Sequence, residues 1–268
     1  IMVKRKLIDC ITFFQENFIF KLRYKALKSV VDEFVICEAI HDHRGRKKKL
    51  NFDKKFLKKK KIKYLVYKEK FPPENSPWHN QALQREFILK NLDYLNDEDY
   101  IFFSDPDEIP NPEKLKQIKL KKKYGIFLQK NFNYKFNLYN KYESPWEGTR
   151  VSKKKNLKSI DYLRQKILTK NLKSPLWRID KEKSIQIINN GGWHFNNILS
   201  PREISLKLKS FAHTEFSNEK FSSLKVINYK IKKKFDLFNR GHIYKKVKLK
   251  IFPKVILKEI KGYKKFLL

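Results

Sequence analysis

Short apolar runs alternate with helical periodicities through the first hundred residues. Residues 7–14 read as a strand. Residues 18–30 read as a helix with Leu22, Ala26, Leu27 and Val30 on one side. Further strands are predicted over 34–39, 62–67 and 100–104, with a helix over 82–92 before the last of them. This is the rhythm of βαβ units, so an α/β domain whose leading strands run parallel is expected. Beyond Gly125 the pattern loosens into aromatic β-like stretches over 126–139 and a run at 185–188 that ends in a Gly-Gly turn. Pro201 then starts a helix to about residue 210. No repeat or Gly/Ser-rich linker interrupts the chain. The expected organisation is one main domain over 1–225, with a basic, aromatic extension over 226–268 packed on it.

Composition changes this picture in two ways. At 268 residues and 41% apolar content, with 22 Phe and 13 Tyr, the chain can fill a substantial core. Its 63 basic against 28 acidic residues leave +35, which raises nucleic acid or an anionic membrane surface as a partner. Abundant Lys, Ile, Asn, Phe and Tyr beside scarce Gly is also what AT-rich coding produces, and that favours a solvated Lys surface. Cys10 and Cys37 lie in separate apolar runs without a CxxC arrangement, as reduced core residues do. No apolar run approaches the ~18 residues needed to cross a bilayer, and the start lacks a signal-peptide pattern. A cytoplasmic chain, peripheral at the inner face of the membrane, is therefore expected.

Acid is concentrated against the global trend at Asp97, Glu98, Asp99, Asp105, Asp107 and Glu108. Pro106 pushes Asp105 toward extended backbone, and Pro110 and Pro112 rule out a long central strand. In extended backbone Asp105 and Asp107 point the same way, just past a strand end where open α/β sheets bind ligands. Two hard oxygen ligands with open positions suit Mn²⁺ or Mg²⁺ shared with a diphosphate. A turn capping the next helix is the competing reading.

Other segments offer candidates of the same two-sided kind. Gly191-Gly192-Trp193-His194 could bring backbone close to a ligand, Trp193 as a stacking face and His194 as a metal ligand, or could be a packed turn. His213 and Glu215, two apart, could supply a metal ligand and a general base. His41 and His43 read as loop residues. Arg85 lies a turn from Gln81 on a helix face and could meet phosphate. Trp146 and Glu147 beside Gly148 suit a carbohydrate pocket or an ordinary turn.

Taken together these segments resemble glycosyltransferase family 17, the family of the bisecting β-1,4-N-acetylglucosaminyltransferase, whose members carry an Asp-X-Asp-Glu-Ile-Pro element. Here it is Asp105-Pro106-Asp107-Glu108-Ile109-Pro110. Also similar are Ile8-Asp9-Cys10, residues 31–38, Gln84-Arg85, Gly191-Gly192-Trp193-His194-Phe195 and residues 211–215. The resemblance implies a GT-A-like, Rossmann-type domain with a mixed central sheet. It also implies a UDP-sugar donor, UDP-N-acetylglucosamine first, a glycan or glycoconjugate acceptor, and inversion at the anomeric carbon. On matching positions Asp107 would bind the metal with Asp105 toward the donor, and His194 or His213 would complete the shell. Glu38, Gln84, Arg85 and Trp193 would shape the donor pocket. Inversion needs a base, for which Glu215 ranks above Glu147 and Glu108.

The family's eukaryotic members carry a membrane anchor and work in the secretory lumen. This chain shows neither an anchor nor a luminal disulfide pattern, so acceptor identity is not transferred. A metal-dependent nuclease or phosphoesterase would use the same acids and histidines. A basic nucleic-acid-binding protein would account for +35 but leaves the clustered carboxylates without a role; no specific nucleic-acid partner is expected.

Overall fold

The computed structural model describes residues 5–210 and 214–268. In chain order the elements begin β1 (Leu7–Phe13), α1 (Asn17–Leu27), β2 (Glu33–Ala39), β3 (Ile62–Tyr67), α2 (Pro77–Lys90) and β4 (Tyr100–Ser104). The chain continues through β5 (Glu108–Pro110), α3 (Pro112–Lys116), β6 (Tyr124–Asn133), β7 (Leu138–Tyr139), β8 (Trp146–Lys153), α4 (Ile160–Gln165) and β9 (Ile185–Asn196). It closes with α5 (Pro201–Ser210), α6 (Glu219–Ser222), α7 (Leu224–Lys233), β10 (Lys245–Lys246) and α8 (Lys254–Ile260).

Strands β3, β2, β1 and β4 lie side by side and parallel, as the alternating pattern requires. The sheet then turns mixed, because β8 runs antiparallel to both β4 and β6, while β9 lies parallel to β6 and antiparallel to the short β5. The result is the mixed α/β architecture expected from sequence. Apolar side chains on the two faces of the parallel strands enter two cores. Phe34, Ile36 and Phe102 join α1 and α8 on one side; Val35, Cys37 and Phe103 join α2 and α4 on the other. Both cysteines are buried and unpaired.

Local capping sets the helix starts. Ser76 accepts from the His79 N–H (3.3 Å) ahead of Pro77, and Ser200 and Glu203 form a reciprocal capping box at α5 (2.7 and 3.4 Å). The C-terminal segment packs back onto α1 and β9: Phe266 stacks on Phe18 at 5.0 Å, and Phe252 packs on Trp193 and Phe195.

The expected Gly-Gly turn is instead the middle of one long strand, β9. A Cβ on Gly191 would lie 2.7 Å from the Leu128 nitrogen, and one on Gly192, at φ +131°, would lie 2.1 Å from the Ile109 carbonyl. The glycines let three backbones close up rather than letting one reverse.

Arg23 of α1 is fully buried. It donates to Asp9 of β1 (Nε to Oδ2, 2.6 Å), to Ser104 Oγ at the end of β4 (2.9 Å) and to the Glu108 carbonyl of β5. Replacing Arg23 with Met strands the Asp9 carboxylate without its partner and should lower the unfolding free energy by about 3–5 kcal/mol. Adding Asp9→Leu should recover part of that loss. Chemical denaturation of the single and double variants checks this, and a single-variant loss below about 1 kcal/mol would show the clamp to be dispensable.

Candidate active site

The acidic segment is a turn, which corrects the expectation of two carboxylates projecting alike from extended backbone. β4 stops at Ser104, the Glu108 N–H donates back to the Asp105 carbonyl (3.0 Å), and β5 departs to pair with β9. Glu108 is fully buried inside the turn. One carboxylate oxygen accepts from Trp146 Nε1 (2.7 Å) and Arg164 Nη2 (2.8 Å), the other from the Asp105 N–H (3.1 Å). With both oxygens engaged and no solvent access, Glu108 holds the turn in shape and does not fit the role of general base.

Asp105 and Asp107 are addressed by different cations. Asp105 is paired with Arg164 and lies 3.6 Å from Arg85, which also holds Asp161 (2.8 Å) and sits over the Phe103 ring. Asp107 accepts from Lys207 of α5 (3.1 Å) and faces His194 Nε2 at 3.4 Å. Burial by itself raises both carboxyls. For Asp105 the Arg164 and Arg85 charges outweigh it, for Asp107 Lys207 and His194 do, and both end below the usual carboxylate range. The His194 ring stacks on Trp146 at 4.7 Å, and its Nδ1 is buried without a hydrogen-bond partner.

A cleft opens beside the turn at the carboxyl ends of β1, β2 and β4, bounded by Thr12, Phe13, Ala39, Asp105 and Pro106. The loop after β2 brings His41, Asp42 and His43 to it, and α2 brings Gln81 and Gln84. Gln84 is committed to the scaffold, with Nε2 donating to the Cys37 carbonyl (2.8 Å) and Oε1 meeting His43 Nε2 (2.9 Å). Burial pushes the His43 pKa down, so its ring is neutral near pH 7. Gln81 Oε1 and His41 Nδ1 are buried in the wall without a hydrogen-bond partner. Buried polar atoms left open on a cavity wall are where a ligand's polar groups are received. The loop is tied down by Asp42, which accepts from Arg46 Nε (2.8 Å), while Arg46 donates on to the Lys209 carbonyl (2.7 Å) at the end of α5.

Several sequence candidates sit elsewhere than expected. Trp193 is 5% exposed and packs in the core beside Phe252, on the face of β9 opposite His194, so it presents no stacking surface. The Glu38 carboxylate is filled by Lys48 Nζ (2.6 Å), the Asn51 and Phe52 N–H groups and Tyr64 hydroxyl (2.8 Å), so Glu38 shapes the wall by holding the 48–52 loop. Glu147 accepts from Arg150 (3.3 Å) and from the Thr169 N–H (3.2 Å) and hydroxyl. Glu215 is exposed on the 3₁₀ turn Thr214–Phe216, and His213 lies outside the described residues. His41 and His43, read as loop residues, line the cleft.

Three site residues carried no sequence flag: Arg23, Arg164 and Lys207. Arg23 alone left a trace, a charge set among the apolar positions of α1. Arg164 and Lys207 lie 59 and 100 residues from the Asp they meet, and nothing local marks them.

Among the described residues no group of three His, Cys, Asp or Glu is gathered to cage a metal ion. Arg164 and Arg85 meet Asp105, and Lys207 and His194 meet Asp107, so a divalent ion here would have one of these carboxylates as its protein ligand and would complete its shell with substrate phosphate and water, as Mg²⁺ does.

The sequence model of glycosyltransferase family 17 matches residues 2–251. No curated protein matches the chain. Among solved structures, glucosyl-3-phosphoglycerate synthase from Mycobacterium tuberculosis in complex with Mg²⁺ and uridine diphosphate is 12% identical, with TM-score 0.40 over 75% of this chain and 74% of that one. The inositol-1-phosphate CTP transferase from T. maritima is 13% identical, with TM-score 0.37 over 72% and 90%. A glycosyltransferase involved in glycosylating the major capsid of PBCV-1 is 10% identical, with TM-score 0.31 over 69% and 81%. At these values the assignment rests on the family match.

The depressed Asp107 carboxyl has a consequence for acid stability. Because its folded value lies below the unfolded one, the stability from its ionisation is complete above about pH 4 and is lost as pH falls toward the folded value. Urea midpoints of the wild type should drop steeply below that pH. Asp107→Asn should lower the midpoint at neutral pH and make the acid decline shallower; parallel curves would show that Asp107 is not the titrating group.

Proposed function

The chain belongs to glycosyltransferase family 17, and from that membership we propose that it moves N-acetylglucosamine from a UDP donor to a glycan acceptor with inversion. The observation that carries this reading is the Asp105–Glu108 turn, with two ionised carboxylates and three cations, at the mouth of a cleft lying at the carboxyl ends of parallel strands. The nucleoside occupies the cleft, where Gln81 Oε1 and His41 Nδ1 meet polar edges of the base; the imide N–H of uracil supplies the donor that Gln81 Oε1 lacks. The diphosphate then points toward the turn. A divalent ion on Asp107, with Asp105 toward the donor, would neutralise charge on the departing nucleoside diphosphate.

The remaining work falls to the chain's own groups. Arg85, Arg164 and Lys207 surround the carboxylates with positive charge, so the turn carries excess negative charge at little cost before the donor arrives, and the same cations face the developing charge as UDP leaves. Trp146 holds Glu108 and stacks on His194, keeping that ring against Asp107. A proton must pass from the acceptor hydroxyl to a base. Glu108 is sealed and Glu147 is held by Thr169 and Arg150; the base is assigned to Glu215 from its place in the block 211–215 that resembles the family.

Incubation with UDP-N-acetylglucosamine and Mn²⁺ should release UDP in an EDTA-sensitive manner. Asp107→Asn should abolish release, and Glu215→Gln should cut acceptor-dependent transfer by about 10²–10⁴-fold while donor hydrolysis persists. Absence of UDP release from any common UDP-sugar, together with hydrolysis of a phosphodiester, would replace this reading with nuclease chemistry. Gln81→Leu should raise KM for the donor by up to about tenfold with kcat little changed, as loss of one binding hydrogen bond does; an unchanged KM would place the base elsewhere.

A further inference from the structure

The loop between the 3₁₀ turn Thr169–Lys173 and β9 carries the most exposed apolar side chains of the described protein. Leu176 is 86%, Trp177 78% and Ile179 92% exposed, whereas the next large apolar residue, Ile243, reaches 55%. Three such residues within four positions form a projecting tip. The structure is folded around them, not over them.

The surface around the tip is basic. The loop and the 3₁₀ turn before it together carry Lys170, Lys173, Arg178, Lys181 and Lys183 against two carboxylates. One of these, Asp180, is already neutralised by Arg178 (2.7 Å) and Lys181 (3.3 Å). A second basic run is fastened to the base of the loop. The Lys121 N–H donates to Gln186 Oε1 (2.9 Å), the Lys123 N–H to Ser184 Oγ (3.0 Å), and Gln186 Nε2 to the Lys119 carbonyl (3.2 Å). This brings the exposed side chains of Lys119, Lys121, Lys122 and Lys123 to the same surface.

We propose that this loop docks the protein on an anionic lipid surface, with Leu176, Trp177 and Ile179 entering the headgroup–acyl boundary and the surrounding Lys and Arg side chains meeting lipid phosphates. A narrow apolar tip ringed by cations matches a layer that is anionic at its face and apolar just beneath. Tryptophan suits that boundary, with a large apolar ring and one N–H to keep wet. A protein partner fits less well, because a stable interface needs about 800 Å² per side with a packed core, and a three-residue tip is too small to provide one.

The loop runs between the two ends of the sheet. It follows α4, whose Arg164 holds Asp105 and Glu108, and Thr169, whose hydroxyl and N–H hold Glu147. It ends at Ile185, which pairs with Tyr124 at the same end of the sheet as Tyr100, opposite the carboxyl ends that carry the candidate site. The docking itself stands independently of the donor chemistry proposed above.

Co-sedimentation of the full chain with mixed phosphatidylcholine–phosphatidylglycerol vesicles tests this, with pure phosphatidylcholine vesicles as control. Binding should require the anionic lipid and weaken with salt. Leu176→Ser/Trp177→Ser/Ile179→Ser should reduce partitioning by at least about tenfold, with an unchanged circular dichroism spectrum and melting temperature. Brominated lipid should quench fluorescence in the wild type, and most of that quenching should be lost in Trp177→Phe. If the triple variant binds as the wild type does, general positive charge alone is responsible and the docking loop is refuted. Loss of self-association by the triple variant, without loss of vesicle binding, would make the tip a protein interface and equally overturn the proposal. Neither result depends on UDP release, so failure here leaves the transferase assay to be judged by itself.

Discussion

The buried Arg23 guanidinium is the constraint on which the rest of the site depends. A charge with no exposure to water is tolerable only with its partners in place, and those partners are Asp9 on β1, Ser104 at the end of β4 and the Glu108 backbone on β5. Satisfying one guanidinium therefore fixes where β4 ends and where the chain re-enters the sheet. The three residues between Ser104 and Glu108 must turn, and they do so on the cleft side. Ser104 is held a second time by the Thr149 hydroxyl of β8 (2.7 Å), so the turn is gripped by helix and sheet together.

A second grip comes from within. Glu108 folds its carboxylate under the turn, where Trp146, Arg164 and the Asp105 N–H occupy it. This acid has a supporting role, and its burial leaves Asp105 and Asp107 to meet groups outside the turn. They diverge, one toward Arg85 and Arg164 from α2 and α4, the other toward Lys207 and His194 from α5 and β9. Opposed cation sets keep two neighbouring carboxylates ionised despite their burial and their mutual repulsion. A site preset in this way binds a charged ligand without first having to deprotonate or reorganise.

Close backbone approach is the other requirement of the site. His194 reaches Asp107 because β9 pairs with β5 at Glu108↔His194 and Pro110↔Gly192, and that pairing is possible only with no side chain at Gly192. Side-chain alternation then decides the neighbours: His194 faces the turn, so Trp193 faces the core.

Much of the fold was legible along the chain. Strands at 34–39, 62–67 and 100–104 and the helix opening at Pro201 emerge from local periodicity, because each buries a continuous apolar face that sequence spacing records directly. The acidic segment and its family were readable for the same reason: the signal is contiguous. What tertiary structure alone decided is where those groups point and whom they meet. Gly191-Gly192 looks like a turn until two neighbouring strands are seen to need its missing side chains. Trp193 looks like a ligand face until the pairing of β9 sends it inward. Glu108 looks catalytic until Trp146 and Arg164 arrive from 38 and 56 residues away. Orientation and partnership are long-range properties of the sheet, and local spacing does not encode them.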